Sequence, residues 1–308
     1  MAYYSGTASS LADLRTALLT HAQTDGWTLT GDVLSKAGVY FRIQVTATLI
    51  TCLGCESNAV ANPAPNVVSI GMIFERSGYP TREISFPCTY EVFGFAQELY
   101  LVVNYDVDTY QWMAIGKTTV PGVPGQGGWC GATLGVFAVS GMTDPISINA
   151  TGGVVGGTSV TRYTTGALFW NMFADSFYVV TAPLNCWVNH GLDSHGWTYN
   201  GSQFSSPIGI RQNTPMIAMQ PSAWNSEATL LPLRCLKERP SFKASLIADL
   251  ENARHLRIDN LAPGDILTLG ADQWKIFPWY RKDVTARNGG NGINHTGTFG
   301  WAFRYEGP

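Results

Sequence analysis

The 308-residue sequence is short of charge. Aspartate, glutamate, lysine and arginine make up 13% of the residues, about half of the roughly 25% typical of soluble domains. The net charge is −3, and the densest basic stretch, residues 234–243, is interrupted by Glu238 and Pro240. Because a protein that grips phosphates needs a basic surface, nucleic acid is not an expected partner. A surface so poor in charge suits either a protein covered by neighbouring subunits or an all-β protein that uses Thr, Ser, Asn and Gly for polarity.

Long apolar runs are also missing. No window approaches 18 uncharged apolar residues, so we expect neither a transmembrane helix nor a membrane partner. The N-terminal stretch lacks a basic region, and Asp13 and Arg15 interrupt its apolar residues. It therefore does not have the pattern of a secretory signal. We expect the chain to be made and folded in a cytoplasm.

Motifs for catalysis and cofactor binding are scarce. The sequence has no phosphate-binding loop and no nucleophile elbow, and nothing marks a pair of carboxylates as a glycosidase site. Cys52 and Cys55 are spaced as Cys-x2-Cys, but the matching second pair of a zinc site is missing, so we expect free, buried thiols. His190, Asp193 and His195 have metal-ligand chemistry, but their spacing is not that of a helical metal site. We predict no catalytic residue, no cofactor and no metal, and keep these five residues as metal candidates.

β-Strand patterns dominate the chain. Phe41, Ile43 and Val45 alternate with polar residues, which is typical of a half-buried strand. One helix is predicted over about residues 10–24, because Ser10 has the chemistry of an N-cap and leucines follow it at helical spacing. Strands and helices do not alternate as they do around a parallel sheet. The predicted fold class is therefore mainly β: antiparallel sheets in sandwich-like bodies, one N-terminal helix and long glycine-rich loops.

Glycine and proline divide the chain. Residues 121–131 (PGVPGQGGWCG) are expected to be irregular, because proline removes backbone donors and glycine adds chain entropy. Residues 186–224 are predicted to be a long loop region that carries aromatic residues. A hairpin at 266–269 and 274–279 and a strand at 301–305 are expected to close the fold. The predicted bodies are a helix plus antiparallel β body over 1–120, a glycine-rich loop or arm over 121–166, and a second β body, with the C-terminal strand, over 167–308.

Three stretches resemble structural proteins encoded in the tail-gene clusters of phages and prophages, over roughly half of the chain. They are MAYYSGTASSLADLRTALLTHAQTDGWTLTGDVLSKAGVYFRIQV at the start, YEVFGFAQELYLVVNYDVDTYQWMAIGKTTVPGVPGQGGWCGATL in the middle, and WKIFPWYRKDVTARNGGNGINHTGTFGWAFRYEG at the end. The resemblance implies a structural, non-enzymatic subunit of the tail tip or baseplate of the virion, assembled in the host bacterial cytoplasm. The implied partners are other copies of the chain and neighbouring tail proteins. It transfers no catalytic residues.

Large aromatic residues stand on glycine-rich segments. The chain has 10 Trp, 13 Tyr and 14 Phe. Aromatic side chains on loops are costly in water but serve as anchors at interfaces. We therefore predict that segments 121–137 and 289–303 are buried against other subunits. The interface candidates are Trp129, Phe137, Trp197, Phe299 and Trp301, and filling the β core is the alternative use of each.

Two further functions stay open. A receptor- or carbohydrate-binding tail protein would gather the aromatic residues of 187–224 into one concave patch beside Asn, Asp and Gln. A tail-associated cell-wall hydrolase would need His190, Asp193 and His195 to converge.

Overall fold

The protein is mainly β, with antiparallel sheets and a single helix near the N terminus of the described part, as the sequence predicts. A computed structural model describes residues 1–59, 67–73, 82–134, 185–199, 208–209, 229–239, 241, 243–279, 281–282 and 299–307.

The helix, α1, spans Leu11–Thr24. The Ser10 hydroxyl accepts a hydrogen bond from the Asp13 amide (3.1 Å), and the Asp13 carboxylate accepts one from the Ser9 amide (2.8 Å). This reciprocal cap fixes the first turn, and the positive φ of Gly26 (82°) turns the chain away at the other end. The buried face of α1 consists of Leu11, Leu14, Leu18, Leu19 and Ala22. The helix prediction is confirmed; within the described residues, no helix is long and apolar enough to cross a membrane.

The described strands pair antiparallel in four sheets. In chain order they are β1 (Ala2–Ala8), β2 (Thr28–Thr30), β3 (Val33–Lys36), β4 (Val39–Val45), β5 (Ile50–Cys55), β6 (Val67–Ile70), β7 (Met72–Ile73), β8 (Arg82–Glu83), β9 (Cys88–Gly94), β10 (Glu98–Asp106), β11 (Thr109–Lys117), β12 (Gly128–Ala132), β13 (Cys186–Asn189), β14 (Trp197–Tyr199), β15 (Ile208–Gly209), β16 (Leu231–Arg239), β17 (Lys243–Arg257), β18 (Ile266–Leu269), β19 (Asp272–Pro278) and β20 (Phe299–Tyr305). The sheets have the orders β1-β9-β10-β11-β12-β13-β14, β15-β16-β17-β20-β19-β18, β2-β3-β4-β5-β6 and β7-β8.

The seven-stranded sheet is the middle layer of the molecule. Aromatic pairs join one of its faces to the six-stranded sheet: the ring centroids of Phe93 and Phe303 lie 5.3 Å apart, and those of Trp112 and Trp301 lie 4.9 Å apart. On the other face, α1 packs on β1 and β9, and β5 and β6 lie against β12. Because alternate residues of a strand point to opposite faces, both faces are apolar, and one continuous core connects all three layers.

Two segments predicted to be irregular contain strands. Gly128–Ala132 form β12, and part of the predicted loop over 186–224 forms β13, β14 and β15. The reason at β12 is packing, since a Cβ atom on Gly128 would lie 3.2 Å from Val39 and 3.3 Å from Trp197. Glycine at this position leaves space for large neighbouring side chains and does not mark a loop. The predicted C-terminal hairpin and strand are confirmed as β18, β19 and β20, with the turn at Gly270–Ala271.

The domain boundaries stay a prediction. The seven-stranded sheet continues through residue 120, because β11 ends at Lys117 and its neighbour β12 begins at Gly128. β13 then pairs with β12, and the Ala132 amide donates to the Asn185 carbonyl (3.0 Å). Residues 135–184, which include most of the predicted glycine-rich arm, lie outside the described residues, as do residues 283–298.

Candidate functional site

The metal candidates His190, Asp193 and His195 lie in the connection between β13 and β14. This connection is fastened to the loop before β12, where the Gly125 amide donates to the His190 carbonyl (3.0 Å). Gly191 has a positive φ (66°), and a Cβ atom there would lie 2.4 Å from the Gly125 nitrogen. Only glycine permits two backbones to approach so closely. The local sequence therefore positions the turn that carries Asp193.

Asp193 pairs with cations of β16. Its carboxylate lies 2.7 Å from Nη2 of Arg239 and 3.5 Å from Nζ of Lys237. The hydrogen bond from Arg239 lowers the pKa of Asp193. Burial lowers the pKa of Lys237, and the Asp193 carboxylate opposes that shift. The Asp193 carboxylate therefore ties the turn to the six-stranded sheet through two cations of the chain itself.

The His190 ring is committed to its own turn. Its Nδ1 accepts a hydrogen bond from the Leu192 amide (2.9 Å), which assigns the ring proton to Nε2. Burial, followed by the positive charge of Lys237, lowers the pKa of His190 to about 4. The ring is therefore neutral near pH 7, and its Nδ1 lone pair is occupied. His195 is exposed. No group of three or more His, Cys, Asp or Glu side chains is arranged to hold a metal in the described part of the chain.

Cys52 and Cys55 also point away from a shared site. They lie three residues apart on β5, so their side chains face opposite sides of the strand. Cys52 contacts Cys130 across the layer boundary, and burial raises its pKa well above the usual range. The Cys55 thiol points to the Leu53 carbonyl (3.5 Å). All six cysteines are free and buried, as the sequence predicts.

The interface candidates lie in the protein's own core. Trp129 and Trp301 are 0% and 1% exposed, and Phe299 and Trp197 are 7% and 8% exposed. These four side chains are covered within one copy of the chain, so their surfaces are not offered to a partner. The prediction is corrected at these positions, where the alternative of core filling holds. Phe137 lies outside the described residues.

The aromatic residues considered for carbohydrate binding are partly described. Trp187 is 2% exposed and Trp197 is 8% exposed. An aromatic platform needs an open ring face, which neither residue has. Phe204 and Trp224 lie outside the described residues.

A buried carboxylate that sequence analysis did not single out joins two sheets. Glu98, on β10, is 2% exposed. Oε1 accepts from the Glu251 amide (3.0 Å), and Oε2 accepts from the Asn252 amide (3.1 Å) and side chain (2.7 Å) and from the Tyr100 hydroxyl (3.0 Å). Burial raises the pKa of Glu98 while these bonds oppose the rise. The one signal in the sequence is a charge at the head of an otherwise apolar strand, ELYLVV.

The carboxylate of Glu98 serves an irregularity in β17. The register on β16 passes from Leu233 opposite Leu250 to Pro232 opposite Arg254, so residues 251–253 have no register partner on β16. A β-bulge leaves backbone amides without ladder bonds. Glu98 accepts from two of these amides and so fastens the bulge to the middle layer.

The edge strand β18 carries two of the exposed large apolar residues of the described surface. Ile266 and Leu269 are 45% and 49% exposed. The other exposed large apolar residues among those described are Met1, Val45 and Val107. The strand, Ile-Leu-Thr-Leu, carries no charge, and within the described residues it pairs with β19 alone. Proteins usually protect such an edge with charge, proline or a bulge. β18 thus has the character of a contact surface.

Comparison with known proteins assigns no family. No family model matches the sequence, and no curated protein matches it. Function is therefore inferred from the residues and contacts described above.

Proposed function

We propose that the protein is a non-enzymatic structural subunit of a tailed-phage virion, built into the tail tip or baseplate. It works through contacts with other copies of itself and with neighbouring tail proteins, and needs neither nucleic acid nor a membrane as a partner. It is assembled in the cytoplasm of the bacterial host.

The observation that carries the proposal is the exposed edge strand β18, whose one sheet neighbour among the described residues is β19. This uncharged strand combines the exposed side chains of Ile266 and Leu269 with backbone groups on its outer edge that have no strand partner in the described part of the chain. Those are the features by which one chain adds a strand to another. A sequence with only 13% charged residues is consistent with surfaces that neighbours cover.

Two polar residues of the described part, Asp193 and Glu98, make contacts that stabilise the fold of the chain itself. Asp193 bonds to Arg239 and holds a turn on β16. Glu98 bonds to the bulge of β17. These contacts explain the two groups as parts of the scaffold, and this favours an assembly role over the hydrolase alternative.

The test is the composition of particles made by the phage or prophage that encodes the chain. Quantitative mass spectrometry should find the protein at a fixed copy number per purified particle. Antibodies raised against the purified protein should label one end of the tail in electron micrographs. A protein that is abundant in the lysate but missing from particles would refute the proposal.

A further inference from the structure

The hydrogen-bond pattern of the β18–β19 hairpin fixes which groups of β18 face outward. The Ile276 amide donates to the Asp265 carbonyl (2.9 Å), and Leu269 stands opposite Asp272 beside the two-residue turn. In an antiparallel pair, the residues that exchange hydrogen bonds alternate with those that do not. Residues 265, 267 and 269 therefore bond to β19, and Ile266 and Thr268 direct their N–H and C=O groups away from the sheet.

These outward groups are complementary to a second copy of themselves. We propose that two copies of the protein pair through β18 in an antiparallel, two-fold contact. Ile266 then lies opposite the partner's Thr268, Thr268 lies opposite the partner's Ile266, and each pair exchanges two N–H···O bonds. The two six-stranded sheets join edge to edge into one continuous sheet.

Side chains favour this register. The middle residue, Leu267, which packs on the small apolar cluster of the outer face, meets the partner's Leu267 on the two-fold axis. A two-fold contact requires a surface patch that complements itself, and an apolar residue on the axis meets that requirement.

Charges do not oppose the contact. In this register Asp265 lies opposite the partner's Leu269 rather than opposite a second carboxylate. Asp272 is neutralised by Arg304, at 2.6 Å. Because no like charges face each other, pairing with an identical edge has no electrostatic penalty, and the association should be insensitive to salt. This favours a second copy over a partner selected by charge.

The role of this contact in assembly rests on the proposed function, but the contact itself can be tested on the purified protein. Sedimentation velocity should show a monomer–dimer equilibrium. A contact this small belongs to the weak class, so concentrations should extend to about 0.5 mM.

The substitution Thr268→Pro tests the proposed backbone hydrogen bonds most directly. Proline removes an outward N–H that the hairpin itself does not use, and proline is tolerated on edge strands. The dimer loses one hydrogen bond from each copy, so the dissociation constant should rise about thirtyfold. The matched control is Thr268→Val, which keeps the amide and should dimerise like the unaltered protein. Circular dichroism and thermal unfolding check that both variants are folded.

A second variant covers the case in which the proline disturbs the hairpin. Ile266→Lys places a charge on the contact and should also weaken the dimer, whereas Val45→Lys, at a position 37% exposed on β4, should not. A protein that stays monomeric at every concentration would overturn the inference. So would a dimer that survives both Thr268→Pro and Ile266→Lys.

The β18 dimer and the incorporation of the protein into particles can be tested separately. A monomer whose β18 amides become protected from hydrogen exchange only inside the particle would assign the edge to a different tail protein. That result would refute the two-copy contact and leave the structural role standing. A β18 dimer from a protein missing in particles would support the contact and refute the virion role.

Discussion

Removal of the Glu98 carboxylate should weaken the junction between the middle sheet and the bulge of β17. In Glu98→Ala, four donors lose their acceptor: the amides of Glu251 and Asn252, the Asn252 side chain and the Tyr100 hydroxyl. A buried donor without an acceptor costs about 1–3 kcal/mol. The bonds to Glu251 and Asn252 are only partly buried, and the variant also removes the cost of burying a carboxylate. We therefore expect a net loss of about 3 kcal/mol in the free energy of unfolding.

The loss is measured by urea unfolding at pH 7. Glu98→Gln tests the same idea with the side-chain shape kept. Its amide presents one acceptor but turns an NH2 group toward backbone donors, so it should lose about 2 kcal/mol. Glu306→Ala is the control, because that carboxylate is half exposed and its removal should change stability by less than about 0.5 kcal/mol. If Glu98→Ala costs no more than Glu306→Ala, the carboxylate does not fasten the bulge.

Three further changes test the packing and the turn. Gly191→Ala should lose at least about 2 kcal/mol of stability, because it meets both a positive φ and a backbone contact. Gly196→Ala is the control and should not change stability, because nothing lies within 4 Å of a Cβ atom there. If the two variants unfold at the same urea concentration, Gly191 is not needed for the turn. Burial lowers the pKa of His255 from 6.5 to about 3. Because only the neutral ring fits the folded state, the free energy of unfolding is highest above pH 6.5 and falls as the pH is lowered. Between about pH 6.5 and pH 4 the loss amounts to about 3 kcal/mol. Urea titrations of His255→Phe should be flatter than wild type over that range, and parallel curves would exclude His255 as a source of acid sensitivity. Trp301→Ala should lose about 3–5 kcal/mol in thermal unfolding and Val107→Ala almost nothing; a stable Trp301→Ala protein would revive the interface assignment.

Elements with local signals are predictable from this sequence. The cap of α1 joins Ser10 to Asp13 within one turn, and leucine spacing marks the face that it buries. The hairpin of β18 and β19 is equally local, since its two strands are separated by two residues. Residues near in sequence determine both elements, so their types are visible without the rest of the fold.

Features that depend on distant residues are not predictable in this way. The glycine at 128 looks like part of a loop until Trp197 is placed beside it. Trp129 on a glycine-rich segment reads as an interface anchor, but the middle layer gives it a core position. Asp193 reads as a metal ligand because nothing in the local sequence shows that Arg239, 46 residues away, neutralises it. Contacts between residues that are distant in sequence decide each of these cases.

The bond between Ala132 and Asn185 has a consequence for how this chain can vary. The backbone leaves the sheet at β12 and returns at the adjacent β13, so the intervening segment, residues 135–184, departs and rejoins at almost one point. The pairing of β12 with β13 is made by residues on either side of that segment. The two ends of the segment are close enough for a short turn to join them. We therefore expect this position to accept segments of different length and sequence while β12 and β13 keep their pairing.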